Sequence, residues 1–258
     1  MLILWPRFTP SHRSAFMSQV SFDNFAKAAT QTDLVDTEIA GRYPFQALAE
    51  RRILSDLIQK LNLQPADRLL EVGCGPGNLL IPLSFFVSSA TGIDNLPAIE
   101  RMRKRAPGAA NLTGLAGNFL ELDTGEARFD KVLVYSVLHY LASEEEIFAF
   151  VDRCLACCAP GGRILLGDLP NRDRKRRFGA SEAGQAVRAD WDNQVTQAGS
   201  HAFDTLPGDQ NLVAINDSLV LAIMAHVRQR GYEAYLLPQP LELPFGGSRE
   251  DILITAHR

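Results

Sequence analysis

The chain has little of several features that mark specialised classes of protein. None of its apolar runs approaches the ~20 residues of a membrane-spanning helix, so no transmembrane segment is expected. Its formal net charge over 258 residues is only −4, which lacks the strongly basic balance typical of nucleic-acid-binding proteins. What is present is 46% hydrophobic residues, ample for one sizeable α/β core. We therefore expect one main domain with a lid.

Cysteine is also scarce, with four residues in the chain. Three of them, Cys154, Cys157 and Cys158, crowd one segment whose C-x-x-C pair invites a zinc or redox interpretation. No second Cys or His pair lies near it in the sequence to complete four ligands, so we expect no metal and interpret these cysteines as small buried hydrophobes. Cysteines of this kind fit a reducing, cytoplasmic location. Residues 1–5 are apolar but too short for a secretory signal and lack its basic region.

The most informative stretch joins a predicted strand to a predicted helix. The apolar run over residues 68–72 is too short for a helix and predicts a buried strand, whereas the apolar run over 78–86 has helical character. Between them stand three alternate glycines, Gly73, Gly75 and Gly77. Glycines allow positive φ angles and close approach of a ligand, and a helix start presents free N–H groups. Strand, glycine turn and helix together predict a nucleotide-binding site.

The spacing within this stretch narrows the kind of nucleotide. No Lys followed by Ser or Thr comes after the last glycine, so the loop is not a phosphate-binding P-loop, and it is one residue tighter than the dinucleotide fingerprint. An acid, Glu71, precedes the glycines, and Glu-Val-Gly-Cys-Gly-Pro-Gly resembles motif I of the class I S-adenosylmethionine-dependent methyltransferases. The resemblance implies that the loop, including Cys74, surrounds the methionine end of S-adenosylmethionine and that Glu71 orients its ammonium group. The alternative is a glycine turn without a ligand.

A second acid ends the next predicted strand, over residues 89–94. The carboxylate of Asp94 there suits both hydroxyl groups of a ribose, and the resemblance implies this role. It also implies that Asn95 and Leu96 lie around the adenosine part of the cofactor. The alternative is an N-cap by Asp94 or Asn95 for the helix over 97–105.

Further cofactor contacts are implied at two more predicted strand ends. Asn118 stands where the family usually has an acid that accepts from the adenine amino group, and its amide oxygen still accepts a hydrogen bond. Phe119 is expected to pack on the adenine or in the core. Tyr135 and Ser136 end the predicted fourth strand, which in the family lies beside the transferring methyl group.

Candidate catalytic residues follow that strand. His139 is expected to face the substrate cavity and is the first candidate for a general base, with Tyr140 and Asp168 behind it. The alternatives are a structural histidine and a reaction without a base.

The order of predicted elements over residues 46–258 resembles the family's fold. That fold is a doubly wound, Rossmann-like α/β sheet of seven strands, mostly parallel with a reversed last strand, between two layers of helices. A Pro-Gly-Gly turn at 160–162 before the fifth strand is a second family mark. We expect residues 1–45 to be an N-terminal tail and partial lid, and 171–215 to be a substrate lid.

The sequence thus predicts an S-adenosylmethionine-dependent methyltransferase that moves a methyl group to a small molecule by in-line displacement. The alternatives are a cofactor-binding regulatory or assembly protein without transferase activity, and a dinucleotide oxidoreductase. No nucleic-acid partner is expected, and the chain is expected to be a monomer or a homodimer. The basic run over residues 172–177 is either a solvated face or a clamp for a phosphorylated or acidic acceptor.

Overall fold

A computed structural model describes residues 18–123, 125, 127–199 and 212–257. Within these ranges, every helix is too short or too polar to cross a bilayer. The described part of the chain contains seven strands, β1 to β7 in chain order: Arg68–Val72, Ser89–Asp94, Leu112–Ala116, Phe129–Tyr135, Cys158–Pro170, Glu233–Pro238 and Arg249–Thr255.

The seven strands form a single mixed sheet in the order β3-β2-β1-β4-β5-β7-β6. The pairs from β3 through β5 are parallel, whereas β7 is antiparallel to both of its neighbours. The strand order reverses between β1 and β4, and such a switch point is where open α/β sheets bind ligands. The predicted doubly wound sheet with a reversed last strand is confirmed.

Helices cover both faces of the sheet. They are α1 to α9 in chain order: Ser18–Thr30, Asp36–Ile39, Ala47–Leu61, Leu80–Ser84, Leu96–Arg105, Glu144–Cys157, Arg172–Gly179, Glu182–Ala198 and Asp217–Gln229. The described residues also form two 3₁₀ turns, Pro44–Gln46 and Leu138–Tyr140.

Alternating side chains of β1 divide the core into two layers. Leu70 packs with residues of α6 and α9 on one face, and Leu69 packs with residues of α3 and α5 on the other. Both leucines are fully buried, as expected for a central strand of a sheet covered on two sides. The structure is therefore the predicted three-layer α/β/α arrangement.

One local prediction differs from the structure. The Pro-Gly-Gly segment is not a turn before the fifth strand but lies inside β5, where the register against β4 shifts between Phe129 and Lys131. Its glycines still pair with β7's extension, because the Gly161 N–H donates to the His257 carbonyl at 3.0 Å. The N-cap of α9 is Asn216, whose side-chain oxygen accepts from Leu219 N.

The crowded cysteines behave as the sequence predicted. Cys154, Cys157 and Cys158 are buried thiols outside any disulfide, where α6 meets β5. Burial raises the pKa of the Cys154 thiol well above its usual value and that of Cys158 to about 11. The Cys154 and Cys158 thiols are therefore protonated and inert at neutral pH, as small apolar side chains in a core are.

Candidate cofactor site

A cavity of about 190 Å³ opens at the carboxyl ends of β1, β2 and β4, beside the switch point of the sheet. The structure brings together at its wall most of the residues that the sequence nominated from five separate segments. These are Glu71, Gly73, Cys74, Gly75, Asp94, Asn95, Asn118, Phe119, Tyr135, Ser136 and Tyr140.

The glycine loop has the backbone that only glycine adopts readily. Gly73 has a φ of +76° and Gly75 a φ of +52°, both in the left-handed region. At Gly73 a Cβ atom would lie 2.3 Å from Cγ2 of Val137, so a side chain would also clash. The Gly75 N–H donates to Oδ2 of Asp94 at 2.7 Å, which joins the loop to the end of β2.

Asp94 and Asn95 lie at the cavity wall, and Asn95 is the N-cap of α5. Oδ1 of Asp94 accepts from the backbone N–H and the side-chain amide of Asn95, each at 2.7 Å. The side-chain oxygen of Asn95 in turn accepts from Ala98 N at 3.0 Å and caps α5. Burial raises the pKa of Asp94, and the hydrogen bonds from Gly75 and Asn95 oppose that rise. The carboxylate is thus oriented at the cavity wall, as a ribose contact requires.

Glu71 is the most unusual group in the cavity. Its side chain is 2% exposed, and Oε2 has no hydrogen-bond partner among the described residues. Burial, and then the nearby charge of Asp94, raise its pKa well above the usual range. A buried carboxylate without a cation is costly. The position therefore suits a positively charged ligand group such as an ammonium.

Asn118 and Phe119 lie where β3 ends. Oδ1 of Asn118 accepts from Leu120 N at 3.0 Å, so this amide oxygen already orders the turn. The Phe119 ring lies 4.9 Å from that of Phe150, and the Arg153 guanidinium stands 5.1 Å from its centroid on the far side of the wall. Phe119 is thus both a core residue and an apolar surface of the cavity.

A polar cluster lies where β4 and β5 end. Ser136 and Asp168 both have positive φ angles, +60° and +59°, and the Ser136 hydroxyl makes a short hydrogen bond to Oδ2 of Asp168. Strained backbone of this kind concentrates at functional sites. Arg42, which sequence analysis missed, donates to Ser136 Oγ at 3.2 Å and pairs with Glu50 at 3.3 Å and Asp168 at 3.8 Å.

Tyr140 and His139 differ in their relation to the cavity. Tyr140 lines it, whereas His139 is not among the lining residues. Both residues belong to one 3₁₀ turn, which brings Tyr140 to the wall. The His139 ring packs against the Tyr140 ring, with 4.2 Å between the two centroids. Burial and the charges of Arg249 and Arg42 lower the pKa of His139 well below its usual value. The expectation that His139 faces the cavity is therefore not met.

Two other nominated residues also lie off the wall. Leu96 is 53% exposed at the start of α5. Gly77 packs the loop closely onto α5, because a Cβ there would lie 2.6 Å from Cγ of Met102. Leu96 begins α5 on the side of the helix that faces solvent, whereas Ala98 and Ile99 of the same turn are buried, so its position in the sequence misleads.

The N-terminal segment supplies one side of the cavity. Phe22 and Phe25 of α1 and Ile39 of α2 belong to the wall, and Phe25 meets Tyr140 edge-to-face at 5.0 Å between centroids. Residues 1–17 of the predicted tail lie outside the described residues. The described part covers the cavity and is hereafter the cover, residues 18–40.

The basic run forms α7, which does not reach the cavity wall. Three of its arginines pair with carboxylates: Arg174 with Glu250 at 3.9 Å, Arg176 with Asp173 at 3.1 Å and Arg177 with Asp217 at 2.5 Å. This arrangement is that of a surface helix with local ion pairs and lends no support to a clamp for an anionic acceptor.

The comparisons with known proteins agree with this geometry. Residues 69–162 match a family model described as a methyltransferase domain. Trans-aconitate 2-methyltransferase of Rhizobium leguminosarum bv. trifolii is 28% identical over 134 residues, which are 51% of this chain and 50% of the relative. A 23S rRNA (uracil(1939)-C(5))-methyltransferase of Klebsiella pneumoniae is 34% identical over 91 residues, which are 33% of this chain and 21% of the relative. The chain thus spans half or less of these relatives' lengths.

A solved structure shows the same fold over almost the whole chain. The N-methyltransferase NodS of Bradyrhizobium japonicum, in complex with S-adenosylhomocysteine, superposes with a TM-score of 0.59 at 16% identity, over 93% of this chain and 100% of that one. Fold and site define a Rossmann-like protein with a cofactor cavity at the switch point of its sheet. Residues 69–162 thus match a methyltransferase domain, and the chain has the fold of the class I S-adenosylmethionine-dependent methyltransferases, as the sequence predicted; S-adenosylmethionine is the cofactor of that class.

Proposed function

We propose that this chain transfers the methyl group of S-adenosylmethionine to a small-molecule acceptor by in-line displacement. The observation that carries the proposal is the buried carboxylate of Glu71, without a partner among the described residues, at the wall of a cavity built from the glycine loop and Asp94. These groups fit a nucleoside with a cationic amino-acid end. When bound, S-adenosylmethionine supplies an electrophilic methyl group on a sulfonium.

Each residue then has a proposed task. Glu71 holds the ammonium group, Asp94 accepts from the ribose hydroxyls, and Asn118 and Phe119 lie beside the adenine. The backbone of the glycine loop and Cys74 surround the methionine end of S-adenosylmethionine. Holding donor and acceptor in line and excluding water is the main source of rate enhancement for such a transfer.

The proton of a hydroxyl or ammonium acceptor needs a destination. We propose that Ser136 and Asp168 receive this proton, because Ser136 lines the cavity and its hydroxyl already donates to the Asp168 carboxylate. The pKa of Tyr140 is raised by burial, so its hydroxyl stays protonated and serves the acceptor as a hydrogen-bond donor. His139, the first candidate from the sequence, remains an alternative base, since its lowered pKa keeps it neutral at pH 7.

The region predicted as a substrate lid contains α7 and α8, and residues 200–211 lie outside the described residues. Trp191 of α8 contacts three aromatic rings, at 5.6 Å from Tyr43, 5.3 Å from Phe45 and 5.6 Å from Phe245 between centroids. This cluster joins α8 to the segment that contributes Arg42. We therefore propose α8 as the part of the lid that covers the acceptor.

Replacing Trp191 with alanine tests the lid. Loss of the aromatic cluster removes the contact that seats α8, so the KM for the acceptor is expected to rise about 10-fold while the affinity for S-adenosylmethionine is unchanged. Steady-state kinetics and calorimetry measure the two quantities. Val187→Ala, on an exposed position of the same helix, is the control. Equal KM values for Trp191→Ala and wild type would contradict the lid role.

The acceptor is sought with methyl-labelled S-adenosylmethionine and a panel of small phenols, hydroxy acids, carboxylic acids, amines and their phosphorylated counterparts. Mass spectrometry detects the labelled product, and S-adenosylhomocysteine must form in equal amount. A labelled product supports the proposal. Cofactor binding without transfer to any member favours the alternative, a regulatory or assembly protein that binds the cofactor.

Phosphorylated and acidic compounds remain on the panel, although the cavity does not single them out. Arg42, the arginine at the wall, already faces Glu50 and Asp168. We also propose a reducing, cytoplasmic location, which the four buried cysteines without a disulfide support.

A further inference from the structure

A single carboxylate joins the cover to α5. Asp36 begins α2, and its Oδ1 lies 2.7 Å from Nε of Arg101. Its other oxygen, Oδ2, lies 2.9 Å from Nε of Arg105, one helical turn further along α5. Both carboxylate oxygens are thus held by guanidinium groups of one helix. We name Asp36, Arg101 and Arg105 the Asp36 clamp.

Arg101 also holds the main chain that connects the two helices of the cover. Its Nη1 donates to the Gln31 carbonyl at 2.8 Å and its Nη2 to the Leu34 carbonyl at 2.6 Å. These hydrogen bonds and the one to Asp36 all go to the connection between α1 and α2 or to the start of α2. Arg101 therefore fixes the path of the chain where the cover turns.

Arg105 extends the clamp to the glycine loop. Its Nη1 donates to the Pro76 carbonyl at 2.5 Å and to Oδ1 of Asn78 at 2.7 Å. The side-chain amide of Asn78 donates back to the Asp36 carbonyl at 2.9 Å. Arg105 thus ties together the two backbone segments that face each other across the cavity, the loop and the cover.

Apolar contacts of the cover with α5 are small by comparison. The cluster between them consists of Ala28, Ala29, Leu34, Ile39 and Ala98 and is separate from the two clusters of the sheet. Three of its five members are alanines, whose burial contributes little. The polar clamp therefore carries a large share of the attachment of the cover.

We propose that Asp36, Arg101 and Arg105 are positioning residues that keep the cover closed on the glycine loop and so slow the release of the cofactor. This inference rests on the proposed function, because it concerns the same cavity. None of the three residues lines the cavity. They act through the segments that do, Phe22, Phe25 and Ile39 on the cover side and the loop of Gly73 and Gly75 on the other.

Because the side chains of the Asp36 clamp are partly exposed, their loss is expected to affect the closure of the cover much more than the free energy of unfolding. The side chains of Arg101, Asp36 and Arg105 are 23%, 29% and 32% exposed, so water and salt weaken the pairing and unfolding is little affected by its loss. Opening of the cover, in contrast, breaks the pairs outright. Salt is accordingly expected to speed cofactor release from the wild-type protein.

The test is the dissociation rate of S-adenosylhomocysteine from Asp36→Asn, measured by stopped-flow displacement. Losing the charge-assisted pairs is expected to raise this rate about 10-fold and to remove its salt dependence, with the association rate changed much less. Hydrogen exchange of residues 18–40 in the cofactor-free variant is expected to be faster than in wild type. Arg105→Lys keeps the charge but loses the planar fork of the guanidinium. Its dissociation rate is expected to lie between those of wild type and Asp36→Asn.

Two matched controls remove a charge near the clamp. Asp33→Asn changes an exposed acid of the same connection, and Lys104→Gln an exposed base of α5, and both are expected to behave as wild type. Unchanged dissociation and exchange in Asp36→Asn, at an unchanged melting temperature, would overturn the clamp and leave the proposed function intact. A wild-type protein that binds no S-adenosylhomocysteine would overturn both.

Discussion

Replacing Glu71 with glutamine is expected to weaken the binding of S-adenosylmethionine about 100-fold, because a buried charge pair with the ammonium group is lost. The same change is expected to stabilise the cofactor-free protein, since it removes a buried carboxylate whose Oε2 has no partner among the described residues. Calorimetry measures the affinity and thermal melting the stability. A substitution that weakens binding while strengthening the fold distinguishes a ligand contact from a structural residue.

Glu121→Gln, at an exposed acid outside the cavity, is the control for this experiment. Unchanged affinity in Glu71→Gln would show that Glu71 does not contact the ammonium group. Lower affinity together with a lower melting temperature would show that the carboxylate stabilises the fold, which contradicts its lack of a partner.

The raised pKa of Glu71 fixes the sign of the pH dependence. A carboxyl group whose pKa is higher in the folded than in the unfolded state contributes stability below its unfolded pKa, and this contribution is lost as the pH rises through the folded pKa. A bound ammonium favours the ionised form, so cofactor binding is expected to release a proton and to tighten as the pH rises. Calorimetry in buffers of different ionisation enthalpy counts that proton, and Glu71→Gln is expected to abolish its release.

Replacing Asp168 with asparagine is expected to lower kcat by about 100-fold or more on the acceptor that the panel identifies, which is the usual loss for a general base. The affinity for S-adenosylmethionine is expected to be unchanged. Asparagine tolerates the φ of +59° at this position and still accepts from the Ser136 hydroxyl, so the fold is preserved. Ser136→Ala is expected to show a loss of similar size.

His139→Gln is the matched comparison for the proton acceptor. Because His139 does not line the cavity, this variant is expected to keep kcat within about threefold of wild type, the range of an indirect packing effect. A large loss in His139→Gln with a normal Asp168→Asn would contradict the assignment and restore the first candidate from the sequence.

Local patterns in the sequence predicted the fold and most of the residues that line the cavity. The apolar run of β1, the glycines after it and Asp94 at the end of β2 lie at positions fixed by short-range geometry, because parallel strands end at one edge of a sheet. Motif spacing therefore transferred directly to three dimensions. The same holds for Asn118 at the end of β3, which reaches the wall as expected.

The acceptor side could not be predicted in the same way, because distant segments build it. Arg42 reaches Ser136 across 94 residues of sequence, and it lies in a segment without a clear hydrophobic period. The contact of Ser136 with Asp168 depends on positive φ angles that residue type does not reveal. The prediction that His139 faces the cavity is wrong for a related reason. The geometry of the 3₁₀ turn decides whether His139 or Tyr140 reaches the wall.

The most direct test of the account is calorimetric titration of the folded protein with S-adenosylmethionine, S-adenosylhomocysteine and NADH. The account predicts micromolar or tighter binding of the two sulfur nucleosides and no binding of NADH, because the glycine spacing and the Glu71 carboxylate suit an amino-acid nucleoside rather than a dinucleotide. Absence of binding by both sulfur nucleosides would contradict the account and leave Gly73, Gly75 and Gly77 as a structural turn.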